Sequence, residues 1–124
     1  MNGKLVDTNI LIYLSKKQLA FDKVASPGDK LFISVITYME VLGYPFTDKT
    51  EKYIVEELCK NLPVINLDKE IIEKVIQIKQ QNKIKLPDAI ILATALVNHF
   101  TLVTANVSDF SNIDNSLKIY NPVQ

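Results

Sequence analysis

The chain has 124 residues, 48% hydrophobic and 23% charged. Those proportions fit one globular domain with one core and exclude a disordered chain. Fourteen basic residues balance fourteen acidic ones, so no net field advertises a polyanion partner. Every basic residue is Lys, which removes the bidentate phosphate fork of Arg and leaves point charges. Cys59 is the single cysteine, so no internal disulfide forms and a reducing compartment is the simplest setting. Asp7 interrupts the basic-then-apolar layout of a secretory signal. The longest apolar run, Ala89 to Val97 broken by Thr94, is far short of the roughly 20 residues that span a bilayer. These features predict a cytoplasmic protein without a membrane span.

In chain order, Leu5-Val6 reads as a short strand buried on both faces. Asp7-Thr8-Asn9 is a polar break, and Ile10 to Leu14 begins a helix. Ser26-Pro27-Gly28-Asp29 is a turn by composition. Leu31-Phe32-Ile33 is a second strand, and Ser34 caps an apolar helix from Val35 to Gly43. Thr47 or Asp48 caps the next helix, which runs to about Asn61 with Ile54, Leu58 and Leu62 on one face. Pro63 to Asn66 is a third strand. Asp68 caps a helix whose buried side holds Ile71, Ile72, Val75, Ile76 and Ile78. Gln80 to Lys85 is a polar loop. Leu86-Pro87-Asp88 opens the most apolar helix, Ala89 to Asn98; with Pro87 as first helical residue, Leu86 holds the cap position. Leu102-Val103 is a fourth strand, Thr104 to Asp109 a polar loop, and Leu117 to Tyr120 a fifth strand. Strands alternating with helices predict an α/β fold: one domain over residues 1–124, its central parallel sheet of four to five strands flanked by helices.

Most acidic residues sit in first helical turns or among Lys on solvated faces, where they need no further explanation. Four do not. Asp7 ends the first strand, where it either caps the helix or faces the ligand edge of an open α/β sheet. Glu40 lies mid-helix in the apolar stretch Val35 to Leu42 and leans back toward the second strand. Asp88 stands between Pro87 and an apolar helix, and Asp109 follows the fourth strand. All four reach one sheet edge if the loop before Leu86 carries the chain there. Converging carboxylates repel, so either some stay protonated or a cation neutralises them. An all-oxygen set without His or Cys selects Mg²⁺ or Mn²⁺, ions that serve phosphodiester hydrolysis.

Four stretches carry a family resemblance: Val6 to Tyr13, Tyr38 to Tyr44, Leu86 to Ala95, and Val103 to Phe110. In order and spacing they resemble the motifs of PIN-domain ribonucleases, in particular the VapC-type toxins of toxin–antitoxin pairs. The resemblance implies a Mg²⁺-dependent endoribonuclease, a homodimer, an antitoxin that blocks the site, and a sheet with strand one central. It makes Asp7, Glu40, Asp88 and Asp109 the catalytic and metal-binding positions, with Thr8, Asn9, Thr104 and Asn106 in support. One departure is Ala105, where many relatives carry Arg. Contact with substrate phosphates then falls to Lys, for which Lys16, Lys17, Lys83 and Lys85 are candidates.

Three other readings stand beside this one. A phosphatase with Asp7 as nucleophile needs a second carboxylate two residues on, where Asn9 stands. A non-catalytic scaffold has no need of a repulsive cluster. A PIN nuclease working in RNA processing without an antitoxin stays open. His99 suits the C-terminal dipole of its helix, and Cys59 reads as a buried helix residue. Tyr13, Tyr38 and Tyr44 suit packing or base stacking. The first helix and the helix near Thr47 carry surplus apolar surface (Leu11, Tyr13, Tyr53, Ile54) that suits a two-fold dimer.

Overall fold

The computed structural model describes residues 3–123. Leu5 and Val6 are both shielded from water and belong to different core clusters on the two faces of the sheet. They lie in β1 (Gly3–Val6), which pairs in parallel with β2 (Lys30–Ser34) and with β4 (Thr101–Val103). β3 (Val64–Ile65) and β5 (Lys118–Tyr120) complete one five-stranded sheet in the order β3-β2-β1-β4-β5. Every pairing is parallel, as the strand–helix alternation predicts.

α1 (Thr8–Ser15) and α4 (Lys49–Asn61) cover one face, against Val6, Ile33 and Val103. α5 (Lys69–Gln81) and α6 (Leu86–Asn98) cover the other, against Leu5 and Leu102. α3 (Val35–Leu42) contributes to both clusters through Val41 and Ile36. The caps are local and explain where the helices begin. Ser34 accepts from Ile36 N–H, Asp48 from Thr50 and Glu51 N–H, and Asp68 from Ile71 N–H.

Several boundaries differ from the sequence reading. α2 (Phe21–Val24) and α7 (Val107–Phe110) are single turns of helix in stretches that read as loop, and Asp109 therefore sits on a helix. α6 begins at Leu86, with Lys85 in the cap position and no side chain capping it. α5 runs on to Gln81, which shortens the loop to residues 82–85. Lys79 Nζ donates to Ile84 O and Asn82 Nδ2 to Ile78 O, tightening the turn between α5 and α6. Ile72 and Ile76 are exposed, because α5 seats only Ile71, Val75 and Ile78 in the core. Leu11 is 1% exposed and spent on the chain's own core, so it offers no surface to a dimer.

Gly3 marks a close approach. Phe100 stacks on Phe32 with centroids 4.6 Å apart, and a Cβ on Gly3 stands 2.6 Å from the Phe100 ring. Gly3→Ala forces this stacked pair to shift and is expected to cost about 1–3 kcal/mol, as overpacking does. A fall in the urea midpoint checks it; an unchanged midpoint contradicts the packing described.

Candidate active site

The sheet order reverses between β1 and β4, so the crevice at their C-terminal ends is the topological switch point where such sheets bind ligands. Asp7 stands there. Its N–H donates to Val103 O at 2.9 Å, which extends the β1–β4 ladder by one residue. Its side chain is the N-cap of α1. Asp7 is only 5% exposed, and a buried carboxylate needs hydrogen bonds. Oδ1 accepts from Thr8 N–H at 2.7 Å and Oδ2 from Thr104 Oγ1–H at 2.8 Å. Capping and a place at the ligand edge of the sheet thus coexist in one residue.

Thr8 also reaches a second carboxylate. Its hydroxyl donates to Glu40 Oε1 at 2.6 Å, and it lies 3.1 Å from the hydroxyl of Thr37. Thr37 is a fully buried polar residue of α3, absent from the sequence-based candidates. Its spacing of three from Glu40, which puts both on one side of the helix, is the signal that marks it.

Thr104 organises the far side. While donating to Asp7 it accepts from Asn106 N–H at 3.0 Å, and Asp109 N–H donates to Asn106 O at 3.1 Å to start α7. Asn106 supports the site through its backbone. Asn9 is exposed in the first turn of α1. Asp88 is half-buried in the first turn of α6, and Glu40 and Asp109 are exposed.

Two of the four carboxylates, Asp7 and Asp88, respond to burial and to their acidic neighbours. Asp7 is raised above the ordinary Asp value, chiefly by burial; the bonds from Thr104 and Thr8 oppose this, and the charges of Asp88 and Glu40 add to it. Asp88 is raised by burial, then by Asp109 and Glu40, with Lys85 opposing. Asp88 is therefore the member that links the cluster. Among the described residues, no three His, Cys, Asp or Glu side chains stand close enough to enclose one ion together. Asp7 and Asp88 nonetheless each lie within electrostatic reach of two of the other acidic candidates. Mg²⁺ commonly takes only one or two carboxylates and keeps several waters, and the oxygen-only donors around Asp7 fit such a hydrated cation.

Of the candidate lysines, Lys85 is close enough to Asp88 to act on its charge. Lys83 and Lys17 are exposed. Lys16 is committed: its ammonium pairs with Glu51 at 2.9 Å and lies over the rings of Tyr44 and Phe46. His99 ends α6 in the left-handed region and lines a cleft of about 400 Å³ with Gly3, Lys4, Thr101 and Lys118. That cleft lies at the starting ends of the strands and is lined by Asp29 but by none of Asp7, Glu40, Asp88 and Asp109. The candidate site rests on the raised carboxylates rather than on the size of a cleft.

The raised values fix a sign. Folded Asp88 holds its proton to higher pH than the unfolded chain does, so stability falls as pH rises from about 4 through the folded-state value. Without metal at neutral pH, Asp88→Asn is expected to melt higher than the wild type, and the gap should close toward pH 4. Paired melts across that range check it; a variant less stable at pH 7 contradicts the repulsion.

The PIN domain family model matches residues 4–115. A chain of a toxin–antitoxin complex from Klebsiella pneumoniae is 35% identical, with TM-score 0.74, 96% of this chain and 97% of that one being covered. VapBC-1 from nontypeable Haemophilus influenzae contributes a chain at 26% identity and TM-score 0.77, covering 98% and 99%. VapBC2 from Rickettsia felis, bound to a DNA fragment from their promoter, shares the fold at TM-score 0.80 with 18% identity over 96% and 98%. No curated protein matches the chain. With the sheet order, the carboxylate cluster and these matches in agreement, the chain belongs to the PIN-domain family of nucleases.

Proposed function

We propose that this chain is a metal-dependent endoribonuclease and the toxin of a toxin–antitoxin pair, with residues 1–124 working as one nuclease domain. The observation that carries the reading is the bridge that Thr8 makes between Asp7 and Glu40, together with Asp88 raised by burial and by the charges of Asp109 and Glu40, which supports a common site for the four. A cluster that repels itself lowers stability, and a bound cation relieves it.

Asp7 would hold Mg²⁺ or Mn²⁺, with Asp88, Glu40 and Asp109 binding it directly or through water. When bound, the cation supplies an activated water and stabilises the departing oxygen of a phosphodiester. Thr8 and Thr104 keep Asp7 aimed at the crevice by occupying one lone pair on each of its oxygens. Glu40, held by Thr8, would orient a water at the edge. Lys85, beside Asp88, and Lys83 in the same loop would take the substrate phosphates as point charges. With Lys16 tied to Glu51 and Lys17 at the far end of α1, these two contribute less to that contact.

Solved relatives that are toxin–antitoxin complexes support an antitoxin partner for this chain. Exposed apolar side chains support protein partners in general: Tyr53 is 61% exposed beside Phe21, and Ile76 is 51% exposed beside Ile72. A homodimer would cover one of these surfaces. Among the described residues no helix is long and apolar enough to cross a membrane, and a reducing cytoplasm suits the single Cys59.

Two outcomes test the reading. Asp7→Asn is expected to lower RNA cleavage by more than about a hundredfold, the scale of losing a central catalytic group, with the melting temperature retained. Millimolar Mg²⁺ or Mn²⁺ is expected to raise the wild-type melting temperature over that in EDTA, by mass action on the folded site. Near-normal cleavage by purified Asp7→Asn would sink the assignment.

A further inference from the structure

Thr37 has no accessible surface, and a buried hydroxyl must find a partner. A threonine inside a helix ordinarily turns its hydroxyl to the carbonyl one turn earlier. Thr94 does this in α6, donating to Ile90 O at 2.7 Å. The hydrogen bond of Thr37 runs instead across to another helix, to Thr8 Oγ1 at 3.1 Å.

Thr8 has a single hydroxyl proton and two neighbours for it. A carboxylate oxygen only accepts, and the contact to Glu40 Oε1 is the shorter, at 2.6 Å. The Thr8 proton therefore goes to Glu40, and Thr37 gives its own proton to Thr8. The result is a directed chain, Thr37 to Thr8 to Glu40, in which each bond polarises the next. Its buried end is fixed by packing, and its free end is an exposed carboxylate that nothing else in the described residues holds.

We propose that Thr37 is a positioning residue of the nuclease site: through the hydroxyl of Thr8 it sets the direction of the Glu40 carboxylate at the catalytic edge. This rests on the nuclease reading above. Thr8 is doubly engaged, since its backbone N–H serves Asp7 while its hydroxyl serves Glu40, so the rotamer that Thr37 selects orients Glu40 from a residue already anchored at Asp7. Without the Thr37 hydroxyl, Thr8 is free to turn and Glu40 to swing into solvent.

Thr37→Val and Thr37→Ser separate this role from packing. Val keeps the volume of Thr and removes the hydroxyl; Ser keeps the hydroxyl and loses a buried methyl. A packing role makes Ser the worse substitution, and a positioning role makes Val the worse one. Purified full-length wild type and both variants are compared by melting temperature, by Mn²⁺ affinity from electron paramagnetic resonance, and by kcat and KM on single-stranded RNA. Thr37→Val is expected to melt no lower than Thr37→Ser, to bind Mn²⁺ about tenfold more weakly than the wild type, as loss of an outer partner does, and to lose kcat with little change in KM. Thr37→Ser is expected to bind and cleave close to the wild type. An active wild type with an equally active, equally Mn²⁺-binding Thr37→Val overturns this inference alone, as does activity that merely follows melting temperature. A wild type that neither binds Mn²⁺ nor cleaves RNA overturns the nuclease reading together with it.

Discussion

A carboxylate is buried at the end of the central strand, and the rest of the site is arranged around its cost. Asp7 cannot be left bare in a poor dielectric. Its two bonds come from Thr8, the first residue of α1, and from Thr104, the residue after β4. The second of these exists only because β1 and β4 pair in parallel and in register, Val6 opposite Val103. Sheet register, helix capping and the placement of the central carboxylate are thus one constraint seen from three sides. The same Thr104 receives the Asn106 N–H and so starts the turn that brings Asp109 to the edge.

The cluster works against the stability of the fold that holds it. Burial and like charges both favour the protonated forms of Asp7 and Asp88, whereas a nuclease needs ionised ligands. Thr8 and Thr104 move Asp7 part of the way back, and Lys85 does the same for Asp88 by charge alone. A divalent cation would complete the correction, being the largest local charge available to such a site. The chain has no Arg, so under the proposed reading any contact with a phosphate backbone would rest on the point charges of Lys.

Much of this was readable from the sequence wherever the signal is local. Leu5-Val6, Leu31 to Ile33 and Leu102-Val103 are apolar on successive residues because both faces of the sheet are covered. Ser34, Asp48 and Asp68 announce helix starts because a cap bonds only two or three residues ahead. The failures have physical reasons too. α2 and α7 are four residues each, too short for a helical period to register. α5 has isoleucine on more of its circumference than it buries, so the pattern cannot say which arc faces α6; Ile72 and Ile76 point out. The start of α6 reads one residue late, with Leu86 as the cap, because Pro87 is the local mark and Lys85 offers no side-chain acceptor. The pairing of Lys16 with Glu51 and of Thr37 with Thr8 joins residues far apart in the chain, where no local rule reaches. Asp7, Glu40 and Asp88 stand out as candidates because each borders or breaks an apolar stretch, whereas Asp109, in what reads as a polar loop, stands out only by following the fourth strand.

The central claim is that four carboxylates from four elements form one cation site. Anomalous diffraction from crystals grown with millimolar Mn²⁺ tests it most directly. The account predicts a manganese peak in the crevice between the ends of β1 and β4, within coordination distance of Asp7 and supported by at least one of Asp88, Glu40 and Asp109. A fully occupied crystal with no peak there, or with manganese bound only elsewhere on the surface, would contradict it.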